Sequence, residues 1–453
     1  MADTDLNAAI AVTRFGLGAR PGEIAAAKSD PRGWLKAQIN RQGADQPGGD
    51  GAPLPDMRSR FSEFQQYRAS LQAAKDDMEA RRMALAPIGQ ANQAEILARA
   101  RLASTTPAGF RERWAMFWAN HFTVAAKAPQ VAVAVGPFER EAVRPHVFGR
   151  FEEMLFATSR HPGMLMYLDQ AQSIGPASTA GQRRGGGLNE NLAREILELH
   201  TVGADAGYTQ ADVTEFARAL TGWSMGGANA GPEAGAYIYR VAMHEPGGRT
   251  VMGRSYREGQ EDQAARILTD LAASPKTARH LARKLAIHFV ADEPPPALTA
   301  RLERAYLDSQ GDLAAVATAL IDAPEAWAAP QAKLKTPYEF LVSGYRAAGQ
   351  APTRAPRELT QPLTALGQPP FRAPQPNGWS DLAGDWAAPD AIVKRLAWAK
   401  AFAAANAPAD PTAAAEQALG ARLSAPVRTA IARAETRDEA FALMLMSPEF
   451  QRR

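Results

Sequence analysis

Apolar side chains recur at helical spacing in segment after segment of this chain, whereas strand-type patterning is confined to one short stretch. That imbalance restricts the fold to a mainly helical body. Helical patterns run from Asn189 to Val202, from Gln210 to Leu220, from Glu261 to Ala273 and from Thr277 to Phe289. Residues 57–101 are rich in Ala, Gln, Glu, Arg and Leu and break only near Pro87-Ile88-Gly89, which predicts a long helical hairpin near the N-terminus. The strand signal lies at 236–254. There Tyr237 to Met243 is aromatic and β-branched, Glu245-Pro246-Gly247-Gly248 reads as a turn, and Thr250-Val251-Met252 reads as the returning strand of a β-hairpin. Two Gly/Pro-rich stretches, 43–55 and 171–187, read as flexible loops. The expectation is one large, mainly α domain over residues 1–453: a compact multi-helix body with a small β-hairpin insertion.

Charge and composition remove several function classes. The 51 basic and 48 acidic residues leave a net charge of +3, too balanced for general nucleic-acid binding. A hydrophobic share of 46% is enough to build a buried core. The absence of cysteine excludes disulfides, thiolate metal sites and a cysteine nucleophile. No run of about 18 apolar residues is present to span a membrane, and the opening residues lack the basic-then-apolar order of an export signal. The expected location is cytoplasmic, with export alongside a signal-bearing partner to the periplasm as the alternative.

Three places put polar residues on apolar faces. After the capping Thr106-Pro107, Trp114, Phe117, Trp118 and His121 follow at i, i+3, i+4 and i+7, so an imidazole takes a core position. It is either a core histidine satisfied by a carbonyl or carboxylate, or a ligand or base. In Asn189-Glu190-Asn191-Leu192-Ala193-Arg194-Glu195-Ile196-Leu197-Glu198-Leu199-His200, the apolar stripe Leu188, Leu192, Ile196, Leu199 is bordered by Asn191, Glu195 and Glu198. Carboxylates at i, i+3 repel and raise a pKa unless a cation compensates. His200 lies round the helix from Glu195 and so falls outside that pair. The third place is the turn His244-Glu245-Pro246-Gly247-Gly248-Arg249, whose three polar side chains suit a metal, a phosphate or a carboxylate, or plain solvation.

Other signals read as structural. Thr209-Gln210-Ala211-Asp212 resembles a capping box, and Arg183-Arg184-Gly185-Gly186-Gly187 lacks the spacing of a nucleotide loop. His280, Lys284 and His288 share one helical face, which reads as a solvated basic surface outside the site.

Several segments, in order, resemble the bacterial family called domain of unknown function 1800. They are Arg14 to Gly22, Trp118-Ala119-Asn120-His121-Phe122, Asn189 to His200, Gly207 to Gln210, Leu220 to Trp223 and the His244 turn, followed by Lys335-Thr336-Pro337-Tyr338-Glu339, Asn377-Gly378-Trp379-Ser380 and Asp385-Trp386. The resemblance spans nearly the whole chain and supplies no reaction. It implies a shared polar site including Asn120, His121, Asn189, Glu190, Asn191, Arg194, Glu195, Glu198 and His244, with Glu245 and Arg249 departing from the family's usual residues. It also implies a partner, a sulfatase-like protein of the domain of unknown function 1501 family.

The resulting expectation is an acid/base or metal-dependent enzyme performing hydrolytic or transfer chemistry on a polar, saccharide-like substrate. Glu195, His121 and Glu198 are its expected catalytic residues, and Asn120, Asn191, Arg194 and Arg249 its substrate-binding residues. His121, Glu195 and His244 would hold a divalent metal ion. The competing expectation is a non-catalytic partner or assembly protein in which the same groups form a buried network.

Overall fold

The computed structural model describes residues 2–49, 53–328 and 331–453. Helices dominate it, with two small two-stranded antiparallel sheets. The helical hairpin is formed by Met57–Ala74 and Met78–Thr105, each opened by an aspartate, Asp56 and Asp77, that accepts hydrogen bonds from the first turn. The reversal falls at Lys75, with φ of 46°, and not near Pro87, where the helix runs on. Pro87 and Met83 are both exposed, so the carbonyl that loses its donor to the proline can be hydrated.

The single expected hairpin at 236–254 is two ribbons. Tyr237–Tyr239 pairs with Trp223–Met225, and Arg249–Val251 pairs with Arg254–Tyr256. The true tight turn is Met252-Gly253, both at positive φ, the backbone twist that joins adjacent strands best. Pro246 and Gly248 instead shape a loop whose carbonyls are gathered by the Arg249 guanidinium. The expected loop 171–187 contains a helix, Thr179–Arg184, capped by Ser178, and is tied down by Gly175 N–H donating to the Met243 carbonyl. In the stretch 43–55, Gly48 and Pro53 form a bridge, and residues 50–52 lie outside the described residues.

Two large apolar clusters organise the body. The first gathers helix Gly109–His121 with Phe151–Arg160, Gln210–Leu220, Glu261–Ala272 and Pro275–Phe289, around Phe15, Trp114, Trp118 and Phe289. The second gathers Pro337–Ala348, Pro389–Asn406 and Arg437–Met446 around Phe340, Phe402 and Phe441. Phe371 packs against both, and a cavity opens at the seam. Pockets between packed elements of this kind are where small ligands bind.

Candidate functional site

The seam cavity has a volume of about 100 Å³, and its walls come from segments far apart in sequence. Helix Met78–Thr105 contributes Ile96 and Arg99, helix Gly109–His121 contributes Met116 and Asn120, and helix Pro275–Phe289 contributes His288. Tyr338 and Glu339 come from the start of helix Pro337–Ala348, and Phe371, Trp379, Ser380 and Asp381 from the connection that follows. Three of the resemblance segments, those at 118–122, 335–339 and 377–380, therefore meet at one opening.

The connection is pinned in place. Asn120 Nδ2 donates to the Trp379 carbonyl and its Oδ1 accepts from Trp379 N–H, both at 2.8 Å. Lys333 Nζ donates to the Asp381 carbonyl and to Asp292 Oδ1, while Asp292 Oδ2 accepts from Ala383 N–H at 2.8 Å. Phe371 is a bulky residue at φ 57°, a conformation it holds only because its surroundings impose it, and its carbonyl accepts from Ala126 N–H.

Within the cavity wall, His288 Nδ1 lies 2.6 Å from Asp381 Oδ1. A carboxylate accepts, so Nδ1 carries the hydrogen and Nε2 of the neutral ring is left with its lone pair. That Nε2 is buried and has no hydrogen-bond partner among the described residues, in a residue only 7% exposed. Burial is the main cause holding the imidazole pKa below its usual value, against the raising effect of Asp381. Burial works to raise the Asp381 carboxyl, yet His288, Arg453 and Lys333 outweigh it and the pKa falls below the usual range. The dyad is therefore a neutral imidazole oriented by an ionised carboxylate. Beneath it Arg453 Nη1 donates to the His288 carbonyl at 2.6 Å. Arg453 and Arg113 also clamp Glu339, at 3.1 and 2.5 Å, keeping that carboxylate ionised despite its burial. The Tyr338 hydroxyl is a second buried polar group without a partner among the described residues, in a residue 8% exposed.

The sequence-predicted residues fall in separate places. His121 is buried; its Nε2 donates to the His200 carbonyl at 3.1 Å and its Nδ1 accepts from Lys284 Nζ at 3.0 Å. His280 Nε2 donates to the neighbouring Leu199 carbonyl at 3.1 Å. Residues Ile196–His200 form a wide helical turn at the end of helix Asn191–Glu195, and two imidazoles thus satisfy the carbonyls of its last residues. Burial drives His121 well below its usual pKa, His200 down to about 3, His280 to about 4 and Lys284 to about 8. The face carrying His280, Lys284 and His288 is thus packed inside the protein and is not the solvated surface that its charge suggests, because two helices close over it.

Glu195 and Glu198 lie elsewhere. Glu195 is half-buried, and burial followed by repulsion from Glu198 raises its pKa. Glu198 accepts from the Tyr208 hydroxyl at 2.8 Å. His244 is buried in a third location, its Nδ1 donating to the Thr221 carbonyl at 2.9 Å, with Nε2 unpartnered among the described residues. His121, Glu195 and His244 do not converge, and among the described residues no group of three or more His, Asp or Glu side chains is placed to hold a metal ion. His121 is held instead by the His200 carbonyl and Lys284, and His244 Nδ1 by the Thr221 carbonyl.

Of the expected substrate-binding residues, Asn120 borders the cavity with its amide committed to Trp379. Arg194 bonds Glu190 and Gln210, Arg249 bonds the carbonyls of Glu245, Pro246 and Gly248, and Asn191 is exposed on its helix. The cavity residues missed were His288, Asp381, Tyr338 and Trp379. For Tyr338 and Trp379 the signal was present in the segments 335–339 and 377–380, which carry polar and aromatic residues beside Gly and Pro, whereas His288 and Asp381 lie outside both.

The chain matches, over residues 10–452, the family described as Protein of unknown function (DUF1800). No curated protein and no solved structure matches it.

Proposed function

The chain belongs to the DUF1800 family, and from that premise we propose that it is an acid–base enzyme whose working group is His288 in the seam cavity. One observation carries the reading: in a residue that lines the cavity, an imidazole has its Nδ1 held 2.6 Å from an ionised carboxylate and its Nε2 buried without a hydrogen-bond partner among the described residues. A buried polar atom without a partner costs roughly 1–3 kcal/mol, a burden that persists where the group is used. A neutral ring below its usual pKa is ready at neutral pH to take a proton from water or a substrate hydroxyl, and Asp381 stabilises the imidazolium that forms. Hydrolytic or transfer chemistry follows, with Nε2 accepting the proton as the nucleophile's oxygen attacks and returning it to the leaving group. General acid–base catalysis of this kind contributes ~10²–10⁴-fold to rate.

The test is a panel of chromogenic esters, amides, phosphates and glycosides assayed with the intact protein, His288→Gln and Asp381→Asn. The expected result is turnover of one class, lowered at least ~10²-fold by His288→Gln and less by Asp381→Asn. Turnover that is indifferent to His288 sinks the proposal. A working association with a sulfatase-like protein of the domain of unknown function 1501 family is a separate proposal supported by the sequence resemblance alone, and co-purification from cells making both proteins tests it.

A further inference from the structure

Lys284 stands one turn before His288 on helix Pro275–Phe289, and the acid–base chemistry of the dyad makes no use of it. Its ammonium donates to His121 Nδ1 at 3.0 Å, which is its one hydrogen bond among the described residues. The His200 carbonyl settles which nitrogen accepts: it takes the hydrogen of His121 Nε2 at 3.1 Å, so Nδ1 of the neutral ring presents its lone pair. An amine within hydrogen-bond reach of a base that a third group orients is the arrangement that activates a nucleophile. The rings of His200 and His280 lie 5.9 and 6.4 Å from that of His121. His280 is spent on the Leu199 carbonyl, whereas the His200 ring, in a residue 2% exposed, makes no hydrogen bond among the described residues. No carboxylate forms an ion pair with Lys284 among the described residues; Asp381 acts on it only at longer range.

We infer that Lys284 is a nucleophilic amine that captures neutral aldehydes and ketones as a Schiff base. Two other lysines show why it is this one. Lys333 is also buried, but it bonds the Asp292 carboxylate, whose negative charge favours the ammonium form. Lys335 donates to Ser343 Oγ at 3.1 Å and lies 3.9 Å over the Phe450 ring, and in a residue 3% exposed it is closed to a substrate. Lys284 is held by a neutral acceptor and keeps part of its surface open. Burial, opposed by Asp381, brings its ammonium down to about 8, so at pH 7 roughly 10²-fold more of it is free amine than of a lysine at 10.5. The groups stacked on the imidazoles are Phe117, Trp118 and Phe122. Among the groups bonded to or stacked on this cluster there is no second permanent cation to hold a carboxylate or phosphate substituent, and the substrate is neutral for that reason.

The step balances as condensation. The Nζ lone pair of the free amine bonds to the carbonyl carbon while the carbonyl π pair moves onto oxygen, and one Nζ proton passes to that oxygen to give the carbinolamine. The bond from carbon to oxygen then breaks as the nitrogen lone pair forms the C=N bond. The oxygen leaves with the second amine proton as water.

The experiment treats the intact protein at pH 7 with butanal and sodium cyanoborohydride, which fixes an imine as a secondary amine, and locates the adducts by peptide mass spectrometry. Expected is labelling of Lys284 at least ~10-fold ahead of Lys335 and of the exposed Lys394 and Lys400. The rate at Lys284 should rise with pH through a midpoint near 8, which a merely structural lysine would not show. Glyoxylate, an anionic aldehyde, should gain less than butanal, each measured against its own rate on Nα-acetyllysine. A second measurement follows exchange of the 2-butanone carbonyl oxygen with water labelled with heavy oxygen, which imine formation and hydrolysis bring about; the protein should accelerate it, and Lys284→Arg and Lys284→Met, checked for folding by circular dichroism, should not. Adducts spread over the exposed lysines with Lys284 unmodified overturn the assignment, as does exchange that persists in either folded variant. A larger gain for glyoxylate overturns the neutral substrate. The His288 reading rests on other atoms and is tested separately.

Discussion

Asn120 and Trp379 exchange two hydrogen bonds of 2.8 Å, the side-chain amide of one mimicking a backbone partner for the other across 259 positions of sequence. This pair closes the tryptophan-bearing connection onto helix Gly109–His121 and so shapes one wall of the cavity. Asn120→Leu leaves the N–H and the carbonyl of Trp379 without partners and should destabilise the protein by about 2–4 kcal/mol. Urea unfolding monitored by tryptophan fluorescence reads the change; a loss under about 0.5 kcal/mol would show the pair to be incidental.

Gly378 has two reasons to be glycine. Its φ is 78°, and a Cβ there would sit 2.5 Å from the Asn120 carbonyl oxygen. Gly367, at φ 88° with nothing within 4 Å, has only the first reason. Gly367→Ala should cost about 1 kcal/mol of conformational strain, and Gly378→Ala distinctly more, upward of about 2 kcal/mol. Equal losses in parallel denaturation curves would refute the close approach.

The imidazoles around Lys284 give stability a pH dependence of definite sign. His200 and His280 titrate near 3 and 4 in the folded protein against an ordinary value of 6.5, so below 6.5 the unfolded chain binds protons that the native one does not. The contribution of these two imidazoles is complete above pH 6.5 and falls as pH drops toward 4, by an amount on the order of a few kcal/mol. Lys284, depressed from 10.5 to about 8, adds a rise in stability between pH 8 and 10.5, because only the unfolded chain is protonated there. Urea midpoints of Lys284→Met compared with the parent over pH 8–10.5 isolate that rise, which the variant should lack.

His121 serves the helix end at His200, and its replacement is a matter of folding. His121→Phe removes the donor to the His200 carbonyl and the acceptor for Lys284, with an expected loss of about 1–3 kcal/mol. Adding Lys284→Met should cost less than the sum of the two single changes, since one bond is broken only once. A double-mutant cycle that closes additively contradicts the direct contact.

How far the chain alone could be read is plain from particular residues. The 3.6-residue spacing of Phe216 with Leu220 and of Leu281 with Leu285 and Phe289 stated the helices outright, since each must bury one stripe and that stripe is local information. So was the burial of His121 beside an indole, that of Trp118, and the separation of His200 from Glu195 around their helix. Which strands pair was not local: Tyr237 finds Met225 upstream and not Thr250 downstream, because Met252-Gly253 makes the tighter turn. Above all, tertiary packing decided that His288, from a helix that reads as basic and solvated, meets Asp381, which lies 93 residues away, while His121, Glu195 and His244 do not meet at all. Periodicity assigns a side chain to a face of its own helix; what covers that face depends on how two hydrophobic cores abut, and long-range contact of that kind has no signature in the spacing of neighbours.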